Sequence, residues 1–513
     1  MKKIACIIIL LTAVKIASAT NYYISPSGND SNTGTITSPF FTLNKAWSVV
    51  QPGDIVYARG GVYRYSSRQN LHYKNGTASD TIRLWSYPGE RPVFTKSSSF
   101  TTPSFPISLI YLKGSYIHIR GIEVAGFTQE TSGVWYGIAA TGSNNNKFER
   151  INSHHNGNGM GIRDNCNNNL ILNCDFHHNF DPITDYGNAD GLSVAYHTSS
   201  LQNTVRGCRF WLNSDDGLDL WENNGSVTVE GCWSWKNGYR FDGVTTAGDG
   251  CGFKFGTTTT EDGTTFKRTV RNNISFENRT RGYMQNSAMV RFYFYNNIAW
   301  NNSQGIVFST FNLAHIFRNN IVFENNENWN GNYSNSVRDH NSNSPTPIAT
   351  SADFASTDTT GVSGPRQANG NLPVLTFMKL VSGSDLIDAG INVGLSYTGS
   401  APDIGSYEFR SSVIPPATVN LAYQSSLVKS SNASEVEITY NVTLAPVVPS
   451  LSCFEVKVNS TVRNITNLII SGNKVYLTLS SPVNPGETVT LSYTKPATNP
   501  LQCTAGTFAE TIT

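Results

Sequence analysis

Gly207-Cys208-Arg209-Phe210-Trp211-Leu212-Asn213 is answered a short distance on by Gly231-Cys232-Trp233-Ser234-Trp235-Lys236-Asn237. The same seven-residue frame recurs at 150–156, 173–179, 272–278, 296–302 and 319–325, always ending in asparagine. Those asparagines stand 23, 34, 24, 41, 24 and 23 residues apart, so the basic period is 23 or 24 with two enlarged repeats. A repeat this short cannot bury its own apolar face and must stack on its neighbours. Two residues before each asparagine comes a ring: His154, His177, Trp211, Trp235, Phe276, Trp300 and Phe323. Short β-rich runs such as Ser226-Val227-Thr228-Val229 and Asn320-Ile321-Val322-Phe323 alternate with Asn/Gly turns, and no window sustains a helical period. The fold expected is all-β: a right-handed parallel β-helix with coils about 4.8 Å apart, its rings stacked and its asparagines bonded from coil to coil.

A second phrase, glycine-apolar-any-apolar, follows most of the asparagines: Gly191-Leu192-Ser193-Val194, Gly217-Leu218-Asp219-Leu220, Gly252-Phe253-Lys254-Phe255 and Gly305-Ile306-Val307-Phe308. Strand alternation turns the two apolar residues inward and the variable one outward. Ser193, Asp219 and Lys254 should therefore form one outward column, and Asp190 and Asp216, each just before a glycine, another.

The flanks differ from this repeat. Lys2 and Lys3, an apolar run over 4–14 and Ala17-Ser18-Ala19 read as a signal peptide over 1–19, implying a secreted protein. No later stretch reaches the ~18 apolar residues of a membrane span. A capping helix is expected over 42–50 and a strand over 54–57, with a closing turn at 401–408. The β-helix domain then spans 20–410, Pro415-Pro416 marks a linker over 411–416, and the Thr/Val/Ser-rich stretch 417–513 reads as a small Ig-like β-sandwich. A net charge of +1 with only 14% charged residues gives no electrostatic case for nucleic acid. A monomer without a membrane or nucleic-acid partner is expected.

Asp190, Asp215, Asp216 and Asp219 converge by this register on one outer edge of two adjacent coils. Unpaired they would repel, so a cation is expected, and an all-oxygen set favours calcium (Ca2+) over softer ions. Lys254 lies one coil beyond Asp219. A lysine beside a metal that binds a uronate carboxylate suits β-elimination: the amine takes the C5 proton and the 4-linked sugar leaves. For this the lysine must be neutral, its pKa brought down from about 10.4 by the nearby cation.

At these residues the sequence resembles polysaccharide lyase family 9, pectate lyases built on a parallel β-helix. The matching elements are Asn188-Ala189-Asp190-Gly191, Asn213-Ser214-Asp215-Asp216-Gly217-Leu218-Asp219, Gly248-Asp249-Gly250-Cys251-Gly252-Phe253-Lys254, and a 278–286 segment containing Arg281-Gly282-Tyr283. The resemblance implies calcium on Asp190, Asp215, Asp216 and Asp219, Lys254 as Brønsted base, and an acidic polysaccharide such as pectate as substrate. Arg281 and Asn286 are the candidate substrate contacts in the last of these segments.

Other features carry alternatives. A polygalacturonase-type hydrolase would use paired carboxylates alone, and no Gly-His-Gly element follows here; a carbohydrate-binding adhesin would use the metal and the tail only for binding. The pairs His154-His155 and His177-His178 allow a zinc site, but two of these rings stand in the aromatic column, which favours stacking. Cys174, Cys208 and Cys232 share one repeat position, as a buried thiol ladder or an adjacent-coil disulfide, and Cys453 could pair with Cys503. Asp249 reads as a turn residue.

Overall fold

The computed structural model describes residues 19–198, 201–259, 262–309, 313–343, 345–410, 421–445, 447–496, 499–503 and 508–512. The expected leader, apart from Ala19, and the 411–416 linker lie outside them. The chain divides into two compact units, Met1–Arg410 and Ser411–Thr513.

Three parallel sheets of twelve, ten and ten strands, among the described residues, make up the first unit, and consecutive coils add one strand to each. The seven-residue phrase forms one wall, with strands such as Arg209–Trp211, Trp233–Trp235 and Ile274–Phe276 in register. Each phrase begins with a residue in the left-handed conformation: Arg150, Asn173, Gly207, Gly231, Asn272, Asn296 and Asn319 all have φ between 53° and 64°. Asparagine and glycine tolerate that region best, which is why they dominate the position. At Gly207 a second constraint applies, because an added Cβ would lie 2.2 Å from Asn173 Oδ1.

The asparagine ladder is continuous. Asn179 Nδ2 donates to Asn213 Oδ1, Asn213 to Asn237, Asn237 to Asn278, Asn278 to Asn302 and Asn302 to Asn325, at 2.8–3.0 Å. Cys174, Cys208 and Cys232 are buried thiols on one line, and the line continues as Asn273, Asn297, Asn320 and Asn341, which form their own ladder. The ring column is likewise formed, from His154–His177 at 4.6 Å through Trp211–Trp235 at 4.9 Å to Trp300–Phe323 at 6.2 Å.

Helix Leu43–Val49, N-capped by the Thr42 side chain, buries Leu43, Ala46 and Trp47 at the first coils, as a cap should. The segment expected to close the far end does something else. Residues 349–409 run back along the outer face of the ring wall, where Phe354, Phe377, Met378, Leu386 and Ile404 form a second core with Trp211, Trp233, Trp235, Phe276 and Trp300. Gly405 N donates to Asn319 O, and Ser406 Oγ donates to the carbonyls of Asn273 and Asn296. This strap is tied by Arg366, whose guanidinium bonds Asp175 and the carbonyls of Cys174 and Gly207. A strap was needed because the ring column faces outward and would otherwise expose a large apolar stripe.

The second unit holds a four-stranded antiparallel sheet, which includes Asn432–Tyr440 and Lys474–Leu479, and a three-stranded one built on Phe454–Val458. Their facing residues, among them Ile438, Val456, Val475 and Leu477, form one core. Cys503 lies in that core and Cys453 packs against it. No helix among the described residues is long and apolar enough to cross a membrane.

Candidate active site

Strand register brings the site together. In the sheet that follows the asparagine turn, Ser193 pairs with Asp219 and Asp219 with Lys254, the outward column read from the glycine phrases. Asp190 and Asp216 stack one coil apart, joined through Gly191 N and Asp216 O. The enlarged repeats lay loops over this edge, so these outward groups are not solvated: Asp190, Asp215, Asp216, Asp219 and Lys254 are each 6% exposed or less.

Backbone amides aim the carboxylates. Asp216 Oδ1 accepts from Cys251 N and Asp215 Oδ1 from Asp249 N, both at 2.6 Å, while Asn158 Nδ2 donates to Asp190 Oδ2 at 3.3 Å. Asp190 Oδ1 and Asp219 Oδ1 are buried and have no hydrogen-bond partner. Oxygen atoms of Asp190, Asp216 and Asp219 lie within 4.8 Å of one another, as do those of Asp215, Asp216 and Asp249. Orphaned, converging carboxylate oxygens are costly unless a cation meets them, and an all-oxygen, irregular donor set suits calcium. The residues present therefore fit the ion.

Lys254 Nζ is 2.8 Å from Asp216 Oδ2, 2.9 Å from Asp249 Oδ2 and 3.6 Å from Asp219 Oδ2. Burial alone would lower its pKa, but Asp216, Asp219 and Asp215 outweigh burial and raise it well above the ordinary lysine value. Burial raises the carboxyls of Asp190 and Asp215 well above theirs, with the neighbouring aspartates adding to the effect. Asp219 is pushed up to about 7 by burial, against the pull of Lys254. Carboxylates outnumber the single ammonium, and the upward shifts of Asp190, Asp215, Asp219 and Lys254 all reduce that excess. With no cation to compensate the aspartates, the nest holds the lysine as its charged counter-ion; the neutral amine expected from the sequence is that of a cation-loaded site.

The region 22–341 matches the family model described as the Pel9A-like, right-handed β-helix region. The chain belongs to the Pel9A-like β-helix family. Over 401 residues it is 30% identical to Pectate lyase L of Dickeya chrysanthemi, a match covering 75% of this chain and 90% of that one. The solved structure of the pectate lyase Pel9A superposes with a TM-score of 0.65 at 28% identity, over 77% of this chain and 98% of the other. A solved rhamnogalacturonan lyase gives 0.61 at 29% identity, over 71% and 97%. Residues 416–498 match the SWM repeat, a flagellar system-associated repeat.

Within this Pel9A-like site the sequence reading missed several groups. Asp249, read as a turn residue, is an ion-pair partner of Lys254 and is placed there by the enlarged repeat. A cleft of about 270 Å³ opens over the nest, with Arg163, Asn158, Tyr136, Tyr196 and Trp221 in its walls. Arg163 donates to the Tyr136 hydroxyl, lies 4.4 Å from the centre of the Tyr196 ring, and keeps a buried Nε without a partner. A further copy of the glycine phrase, Gly159-Met160-Gly161-Ile162, would have placed it: Arg163 is the next residue and pairs with Ala195. Arg281 sits one coil beyond the lysine strand, close enough for its charge to lower the Asp249 pKa, though burial there acts the other way. Asn286 is committed elsewhere, its Nδ2 donating to Gly256 O at 2.8 Å as a coil-to-coil staple. It takes φ 50°, the turn conformation that asparagine favours, which accounts for the residue without a substrate.

Proposed function

We propose that the chain, a polysaccharide lyase by family, cleaves a 4-linked uronan, pectate or polygalacturonate foremost, by calcium-dependent β-elimination with Lys254 as the base. The observation that supports this most directly is one buried amine within 3.6 Å of three aspartates, in a cleft where Asp190 Oδ1 and Asp219 Oδ1 lack partners. Asp190, Asp215, Asp216 and Asp219 would hold the calcium. When bound, the ion compensates their charge and draws on the substrate's carboxylate, which makes the C5 proton more acidic. Arg163 offers that carboxylate, or its neighbour's, a charged donor, and Trp221 and Tyr196 offer sugar rings an apolar face.

With the aspartate excess compensated, the pull that keeps Lys254 protonated is removed and its amine can accept the C5 proton. The C5–H electron pair becomes the C4=C5 double bond, the C4–O bond breaks, and the departing oxygen takes a proton from water. Asp249, the most exposed of the three carboxylates around the amine, is placed to receive the proton from Lys254 afterwards. Secretion, with a leader removed near Ala19, belongs to the same reading, since the substrate lies outside cells.

The likeness to a rhamnogalacturonan lyase makes a rhamnogalacturonan backbone the second substrate to test. Protein incubated with polygalacturonate, rhamnogalacturonan or alginate, each with calcium or with EGTA, should release unsaturated, ultraviolet-absorbing uronides in step with reducing ends, and only with calcium. Reducing ends without that absorbance would mean hydrolysis, and binding without either product would mean an adhesin.

A further inference from the structure

A separate cluster of metal-ligating side chains lies on the ring wall, outside the cleft. Strands Asn152–His154 and Asp175–His177 are neighbours in register, and each is followed by a second histidine. The four imidazoles form two stacks across the coils: His154 on His177 at 4.6 Å and 7°, and His155 on His178 at 5.1 Å and 2°. Within each coil the two Nδ1 atoms face one another at 2.7 Å.

The outer nitrogens decide which way the lone pairs point. His154 Nε2 is 3.0 Å from Glu123 Oε1, and Glu123 is itself held by Arg91. His177 Nε2 is 3.0 Å from Asn152 Oδ1. Carboxylate and amide oxygens accept hydrogen bonds, so Nε2 carries the proton on His154 and His177, and each Nδ1 lone pair accepts from the Nδ1–H of His155 or His178, a proton that an ion would replace. A histidine held from behind by a carboxylate is the arrangement that supports metal ligation. Burial, followed by the other histidines, keeps His178 neutral down to about 4 and lowers His155 and His177 as well.

We propose that His154, His155, His177 and His178 form a transition-metal site for Zn2+ or a similar nitrogen-preferring divalent ion. Ligand atoms of His154, His155 and His177 lie within 4.8 Å of one another. A tetrahedral ion with ~2.0–2.1 Å bonds needs nitrogens about 3.4 Å apart, a value between the 2.7 Å pairs and the 4.8 Å within which the ligand atoms of His154, His155 and His177 lie. Because the stacked rings are nearly parallel, they would tilt toward one another to bring their lone pairs onto one ion. The ligand set is all imidazole, so it selects against the calcium that suits the aspartate nest. Access is open at His155, which is exposed; at rungs covered by the strap the column is Trp or Phe, whereas here Phe241 packs on the rim, 5.3 Å from His155. The ion would staple two coils and anchor Phe241, in the loop that goes on to deliver Asp249 to Lys254.

The test is a Co2+ titration of the untagged full-length protein in saturating calcium, read by visible absorption and thermal melting. One equivalent of cobalt should give the intense bands of a nitrogen-ligated, four-coordinate ion, be displaced by Zn2+, and raise the melting temperature. His154→Phe/His177→Phe keeps the stack, since the next rungs are already Trp and Phe, and should lose those bands while melting cooperatively. His155→Ala/His178→Ala, which leaves the column intact, should lose them too, and Asp190→Asn should retain them. The proposal is overturned if wild type shows no such bands, if both histidine variants keep them, or if Asp190→Asn abolishes them. None of these results depends on the uronan reading.

Discussion

Lys254 Nζ stands 2.8 Å from Asp216 Oδ2, and Asp216 is fully buried. An amine so placed balances the aspartates when no cation is present, and under the proposed mechanism it becomes available as a base once they are compensated. In that mechanism metal binding is coupled to base strength through charge rather than through movement of the fold.

That coupling makes stability depend on pH in an unusual direction. Burial raises Asp190 and Asp215 well above the ordinary carboxyl range and Asp219 to about 7. A carboxyl whose folded pKa lies above its unfolded value of about 3.9 binds more protons when folded, so stability falls as pH rises between the two. Lys254 is protonated in both states across this window and does not offset the loss. Melting temperature in EGTA should therefore decline from about pH 4 to about pH 7, and excess calcium should flatten the decline. Identical curves with and without calcium would contradict this.

Asp175 behaves in the opposite sense. Burial opposes its ionisation, but Arg209 and Arg366 hold its carboxyl below the ordinary range. Its contribution is present above the unfolded value of about 3.9 and is lost as pH falls through the lowered folded value. Because Arg366 and Arg209 also bond strap carbonyls, Asp175→Asn should cost about 3 kcal/mol in urea unfolding at neutral pH and make residues 362–370 sensitive to protease.

Two glycines at one repeat position should respond differently. At Gly231 an added Cβ meets nothing within 4 Å, whereas at Gly207 it meets Asn173 Oδ1 at 2.2 Å. Asparagine occupies the equivalent site in four other coils, so Gly231→Asn should change unfolding free energy by less than ~1 kcal/mol, and Gly207→Asn should cost ~1–3 kcal/mol. Equal effects would show that the left-handed turn, not the contact, sets tolerance.

Arg163 stands in the cleft wall, whereas the amide of Asn286 bonds Gly256. Arg163→Ala should raise KM for polygalacturonate roughly ten- to a hundred-fold, the scale of a lost charged hydrogen bond. Asn286→Ala should leave KM within about two-fold and lower the melting temperature, because its amide serves Gly256. The reverse pattern would put Asn286 back among the substrate contacts.

The solenoid was legible because each of its requirements leaves a residue behind at a fixed interval: asparagine where side-chain amides ladder, Asn or Gly where φ turns positive, a ring where coils stack. Asp219 and Lys254 followed from strand alternation alone. What escaped was whatever depends on distant chain. The strap carries no period, and its role follows from needing to cover Trp211 and Trp235, a demand seen only once the ring column is known to face outward. Asp249 lies in an enlarged repeat, where register no longer counts residues, and the protonated state of Lys254 depends on how far the pull of Asp216, Asp219 and Asp215 outweighs the burial there.

The most direct test is the rate of unsaturated uronide formation from polygalacturonate by Lys254→Ala in saturating calcium, with calcium affinity and melting temperature measured on the same sample. A lost general base should lower kcat by about 10²–10⁴ while the variant still binds calcium and folds. A folded, calcium-loaded variant turning over within a few-fold of wild type would remove Lys254 from the reaction.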